Sequence, residues 1–246
     1  MSIDQRNLAA VLSGLQDEHL QLGELEDSLR RVVEATCGVF AVAGAGLMLV
    51  DEGDNLRYVA ATDGRSAALE AAQAETGEGP CVESLLNGHV VQTDDLLKDP
   101  RWPTLVEAIE GLNVVALLGV PIRIERTTVG SLNVYTDAPW SWTDDDIAAL
   151  ESFAVVLEEL LRQALSAAER HQLAVQLDSA LTNRVVIERA VGVVMGERRT
   201  DPVTAFNVIR DRARSERRKV SVIAAELLDA VQSPGDPEVS LGAGPA

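Results

Sequence analysis

A chain of 246 residues has room for one or two domains with buried cores, and 46% hydrophobic with 24% charged residues excludes the disordered and fibrous classes. Its longest nearly unbroken apolar run, Val39 to Val50, is too short for a bilayer span and contains two glycines, and the acidic N-terminus lacks an apolar signal core. The net charge of −18 argues against a protein that is basic throughout, and the expectation is a cytoplasmic protein.

Residues 8–33 read as a helix, because Leu8, Val11, Leu15, Leu22, Leu25, Leu29 and Val32 follow a seven-residue repeat. So narrow a seam predicts a helix–helix contact, and Gly38 and Gly44 are expected to end the pattern. Two β-rich runs follow, "GAGLMLVDE" and "NLRYVAATD", with Gly53-Asp54 between them as the turn of a hairpin. "RSAALEAAQAE" predicts a short helix. A Gly/Pro turn, a helical turn and a strand at 89–93 come next. Pro100 and Pro103 set up a helix through Glu110, with Gly111 as its stop. "VVALLGVPIRI" and "TTVGSLNVYTD" are two further strands joined at Glu125-Arg126. The expected fold of this region is α+β, an antiparallel sheet of about five or six strands flanked by helices.

Thr143 is placed to cap the next helix, and Asp144, Asp145 and Asp146 fall in its first turn, where the helix dipole favours carboxylates. Leu150, Phe153, Leu157, Leu160 and Ala164 again keep a coiled-coil spacing, and no Pro or Gly lies between Pro139 and Gly192. One long helix, or two nearly continuous ones, is expected from 143 to about 195. Asp201-Pro202 starts a helix to about Glu216, Val220-Ser221 starts a last one ending near Gln232, and "SPGDPEVSLGAGPA" has the composition of a disordered tail.

Charge is concentrated near the end of the chain. Residues 181–220 hold ten Lys/Arg against five acids, a net of +5; residues 221–246 carry −4, which leaves −19 on residues 1–180. A polyanion-binding module on an acidic carrier has this distribution, as does a solvated helix surface. In the helix after Asp201, Val203, Phe206, Ile209 and Ala213 form the inward stripe, and Arg210, Arg214 and Arg217 recur beside it at i, i+4, i+7. Arginine suits phosphate because its planar fork donates two parallel hydrogen bonds. Arginine is also the usual basic residue of this chain, since lysine occurs only at Lys98 and Lys219. "RVVIERAVGVVMG" is apolar on nearly every side, which predicts burial within its own module and against a second chain.

Residues Ala180 to Leu228 resemble the ANTAR domain, a three-helix RNA-binding module of bacterial transcription antiterminators. The matching features are Arg184, Ile187, Glu188, Ala190, Gly192 and Met195, then Ala205-Phe206, then Ala213, Arg218, Val220 and Ala224. The chain departs from the family's usual residues at Val191, Arg212 and Arg217, the last being a position where asparagine is frequent. "GEGPCVESL", "DDLLKDPRWP", "VPIRIERTTVGSLNVY" and "WTDDDIAALESFA" resemble the GAF sensor domains that are fused to ANTAR modules in actinobacteria.

The two resemblances imply the following organisation: an N-terminal coiled-coil extension at 1–23, a GAF domain at 24–165, a helical connector at 166–176, an all-α ANTAR domain at 177–231 and a tail at 232–246. They imply a homodimer whose GAF domains sense a signal and whose ANTAR modules bind paired RNA stem-loops and prevent a terminator from forming. The residues expected at RNA are Arg184, Arg189, Arg210, Arg214, Arg217, Arg218 and Lys219. A small-molecule ligand in the GAF domain would meet Tyr58, Cys81, Trp102 and Tyr135, although each also reads as core. The two cysteines and three scattered histidines form no zinc pattern, His89 reads as structural, and no nucleophile–base pair or phosphate loop is present in the sequence, so neither cofactor nor metal is expected. Two other readings stand beside this one. Cys37 and Cys81 would serve a GAF-fold thiol reductase if folding joined them, and the arginines would serve an adaptor if their target were an acidic protein.

Overall fold

The computed structural model describes residues 3–17, 25–51, 56–166 and 172–232. The chain divides into two compact units, residues 1–181 and 182–246. The first unit is built on five antiparallel strands: β1 (Gly44–Val50), β2 (Leu56–Ala61), β3 (Val91–Thr93), β4 (Ala116–Ile124) and β5 (Thr127–Thr136). Their order across the sheet is β2-β1-β5-β4-β3.

Alternation along the strands gives the sheet two unlike faces. Leu47 and Leu49 of β1, Leu118, Val120 and Ile122 of β4, and Leu132 and Val134 of β5 meet one helical layer. That layer contains α1 (Gln5–Asp17), α2 (Leu25–Phe40) and α6 (Asp144–Ser166), with Leu29, Val32, Phe153, Leu157 and Leu161 in the same core. The residues between include the small or polar Gly44, Gly46, Gly119, Ser131, Asn133 and Tyr135, beside Met48 and Leu117. Their side holds α3 (Gly64–Thr76), α4 (Pro80–Asn87) and α5 (Pro103–Ala108).

The described residues of both seven-residue seams pack inside this unit. Leu25, Leu29 and Val32 of α2 and Leu150, Phe153, Leu157, Leu160 and Ala164 of α6 belong to one buried core. The buried face of α6 also takes Ala149, Ala154, Val156 and Leu161, which makes it broader than a coiled-coil stripe. The helix expected at 8–33 is α1 and α2, with residues 18–24 outside the described part, and α2 runs through Gly38 to Phe40. The long helix expected from 143 is α6 and α7 (Gln172–Arg198), with residues 167–171 outside the described part.

The helix starts obey local chemistry. Thr143 Oγ1 accepts from the Asp146 amide at 3.2 Å, while Asp146 Oδ2 accepts from the Thr143 amide at 2.9 Å, a reciprocal box at the head of α6. Asp63 accepts from the Ser66 amide at 2.7 Å to cap α3. The second unit holds the end of α7, then α8 (Pro202–Glu216) and α9 (Val220–Gln232). Asp201 caps α8 by accepting from the Thr204 amide at 3.0 Å. Ile187, Ala190 and Val194 of α7, Phe206, Ile209 and Ala213 of α8, and Ile223, Ala224 and Leu227 of α9 are buried. One stripe of α7 is buried rather than its whole girth, since Val185 is 39% exposed.

Candidate nucleic-acid interface and sensor interior

The arginines of the second unit fall into three groups. Arg184 is 3% exposed, with its Nε 3.2 Å from Glu188, and Arg210 has a side chain only 13% exposed. Neither guanidinium is presented as an open fork in the single chain. Arg212 and Arg218 are closed into a ring with two glutamates. Arg212 Nε reaches Glu216 at 2.7 Å, Arg218 reaches Glu216 at 3.0 Å, and Arg218 engages Glu226 of α9 through both terminal nitrogens. This fork-to-fork pairing ties α8 to α9 and holds Glu216 and Glu226 below the usual carboxylate range through the arginine hydrogen bonds.

Arg189, Arg198, Arg199, Arg214 and Arg217 form the third group. They are exposed, and among the described residues they make no ion pair. Lys219 is exposed as well. The ridge expected from Arg210, Arg214 and Arg217 does not form. Arg217 lies past the end of α8, with φ 54°, so the i, i+7 relation to Arg210 ends with the helix. Arg198 and Arg199 were countable in the charge cluster, but no helical spacing singles them out.

The polar face of the sheet in the first unit encloses a second cluster. Glu70 of α3 is 1% exposed. Its carboxyl accepts from Asn133 Nδ2 at 2.8 Å and from Gln73 Nε2 at 3.0 Å. Gln73 in turn accepts from the Cys81 amide at 2.9 Å, and Ser131 Oγ donates to Asn133 at 2.7 Å. Burial pushes the Glu70 carboxyl up to about 8, against the two amide hydrogen bonds that favour its charged form. Burial, and then the nearby Glu70, push the Cys81 thiol well up. Glycines make the space: an added Cβ at Gly46 would stand 2.5 Å from Glu70 Oε1, at Gly119 2.7 Å from Asn133 Oδ1, and at Gly79 2.5 Å from Gln73 Oε1.

Three of the four residues expected around a ligand lie in this interior, and all three are sealed. Cys81 is 0% exposed, Trp102 3% and Tyr135 1%. Trp102 and Tyr135 share one apolar core with Leu69 and Leu105, and Arg101 stacks 4.0 Å over the Trp102 ring. The Tyr135 hydroxyl donates to Asp63 at 3.2 Å. The side chain of Tyr58, in β2, lies outside the described part. Glu70, Gln73, Ser131 and Asn133 were missed. Ser66, Leu69, Glu70 and Gln73 do mark the inner stripe of α3 by their 3-4 spacing, but a glutamate among alanines reads as solvated.

The GAF domain family matches residues 24–161, more than half of the chain. The protein belongs to the GAF domain family. The ANTAR domain family matches residues 175–228, so the GAF protein carries an ANTAR domain in its second unit. No curated protein matches the chain. Among solved structures, the GAF domain of a phosphoenolpyruvate-protein phosphotransferase from Coxiella burnetii is 18% identical, with a TM-score of 0.54 over 67% of this chain and 98% of that one. The equivalent domain from Acinetobacter is 17% identical, with a TM-score of 0.52 over 67% and 96%. Free methionine-R-sulfoxide reductase from Neisseria meningitidis, solved with its substrate, is 16% identical, with a TM-score of 0.51 over 68% and 96%. At these identities the likeness is one of fold. GAF and ANTAR domains are regulatory modules, and a sealed thiol pushed well up is the opposite of the exposed thiolate that reductase chemistry uses. Among the described residues no helix is long and apolar enough to cross a membrane.

Proposed function

We infer that this GAF–ANTAR protein is an RNA-binding transcription antitermination regulator. Its GAF domain, at 24–165, senses a signal and controls the ANTAR module at 177–231 through the helical connector at 166–176. Two copies act together, each gripping an RNA stem-loop, and the pair keeps a terminator from forming in a nascent transcript in the cytoplasm. The observation that carries this reading is the exposed arginine set of the ANTAR unit, free of ion pairs among the described residues, on a carrier of net −19. Such a carrier repels RNA from its other surfaces and confines binding to one module. Arg189, Arg214, Arg217 and Lys219 are the members of the expected set that this reading relies on, with Arg218 held in place by Glu226. RNA loops suit the module because their bases and phosphates are open, unlike the deep groove of an RNA duplex.

Crosslinking in cells followed by sequencing of bound RNA tests the reading. Recovery of paired stem-loops upstream of terminators is the expected result. Nuclease-resistant recovery of acidic proteins, with no enriched RNA, would overturn it in favour of an adaptor.

A further inference from the structure

Two helices of the ANTAR unit stop in the same unusual way. Arg199 follows α7 with φ 52°, and Arg217 follows α8 with φ 54°. The amide of Arg218 donates to Ala213 O at 2.9 Å and that of Arg217 to Arg214 O at 3.2 Å; the amide of Thr200 donates to Met195 O at 3.4 Å. These bonds satisfy the last free carbonyls of each helix and demand left-handed backbone at residues 199 and 217. Glycine takes that conformation without cost and asparagine with little, whereas arginine takes it against a steric penalty. In the GAF unit the corresponding residues after α3 and α4 are Gly77 and Gly88, with φ 69° and 66°. Ala41, after α2, has φ 51°, so this fold bears a non-glycine residue there. At 199 and 217, however, the residue is each time an exposed cation without an ion pair among the described residues.

A favourable interaction with the helix dipole does not account for the choice. A base within the last turn supplies that interaction on ordinary helical backbone, as Arg198 and Arg214 do. The neighbours of Arg217 are already committed, since Glu216 and Arg218 both belong to the ring that joins α8 to α9. Arg217 is left as the cation of a turn whose backbone is fixed on both sides.

We propose that Arg199 and Arg217 are RNA phosphate contacts, kept as arginine at two positions where the backbone favours glycine. This rests on the RNA-binding reading above. The two stand near opposite ends of the 15-residue α8, on the order of 20 Å apart along its axis, so they meet separate phosphates and their effects add. Strain persisting at an exposed site is the expected mark of such a role.

The test uses the full chain and the tightest-binding RNA recovered from a randomised two-hairpin pool, followed by fluorescence anisotropy at several salt concentrations. Arg199→Gly and Arg217→Gly should each weaken binding about fourfold at physiological salt, and together by about tenfold or more. The salt slope should fall by about one for each arginine removed. Melting temperatures should hold or rise, because glycine relieves the left-handed backbone. Arg217→Lys should keep most of the affinity, since the charge remains. Unchanged affinity and slope in the double glycine variant, beside a wild type that binds, would overturn this inference alone. A wild type that recovers no RNA from the pool would overturn the RNA reading and this inference with it.

Discussion

Replacing Glu70 by Gln makes the stability of the GAF unit insensitive to a proton that the wild type must hold. In the folded protein burial raises the carboxyl from its ordinary 4.5 to about 8. An acid raised in this way binds more protons folded than unfolded, so its contribution to stability is whole below pH 4.5 and is lost as pH rises toward 8. At about 1.4 kcal/mol per pH unit, the full loss is about 5 kcal/mol, of which about 3.5 kcal/mol falls between pH 5 and pH 8. Gln keeps the shape of the neutral acid and carries no proton to lose. The wild type should therefore lose about 3.5 kcal/mol relative to Glu70→Gln across that range. With a urea slope of about 2 kcal/mol/M, the two midpoints move apart by about 2 M. Tryptophan fluorescence reads this unit by itself, because Trp102, Trp140 and Trp142 all lie within residues 1–181. If urea melts at pH 5 and pH 8 give the same difference between the two proteins, Glu70 ionises at its ordinary value and the buried, uncompensated carboxyl is refuted.

Further outcomes test the fold, the ANTAR arginines and the pairing of chains. Gly130→Ala should destabilise the GAF unit by about 3 kcal/mol or prevent its folding, because the new methyl would stand 2.1 Å from Met48 O across the β1–β5 ladder; a melting curve decides it. Arg214→Ala should weaken RNA binding with melting unchanged, whereas Arg218→Ala should lower the stability of the ANTAR unit by opening the ring with Glu216 and Glu226, as circular dichroism and anisotropy on the same samples would show. Sedimentation at micromolar concentration should give twice the 26.3 kDa chain mass, and a clean monomer would remove pairing from the proposed mechanism.

What could be read in advance was local. Thr143 with Asp146, Asp201 with Pro202, and the β-rich runs that became β1, β4 and β5 all announce themselves through short-range chemistry. The two seams were ambiguous because periods of 3.5 and 3.6 cannot be separated over three or four turns, and in the described residues α2 and α6 pack on each other and on the sheet. The helix end near Glu216 was legible, and the i, i+7 relation to Arg217 carried helical spacing one residue past it. Which arginines are already paired depends on Glu226, one helix away, and sequence spacing holds no record of that.

The glycines beneath α3 and α4 have a consequence for how this sequence can change. Gly46 and Glu70 occupy one volume between them, as do Gly119 and Asn133, and Gly79 and Gln73. A methyl at one member evicts the polar end of the other, so neither position drifts alone. Descendants that gain alanine at 46 must shorten residue 70, and those that shorten residue 70 first open a hole that alanine can fill. Across homologous sequences these positions should therefore vary as pairs, with a larger residue at the glycine matched by a smaller one at its polar partner, and the buried carboxyl should vanish from every lineage in which residue 46 has acquired a side chain.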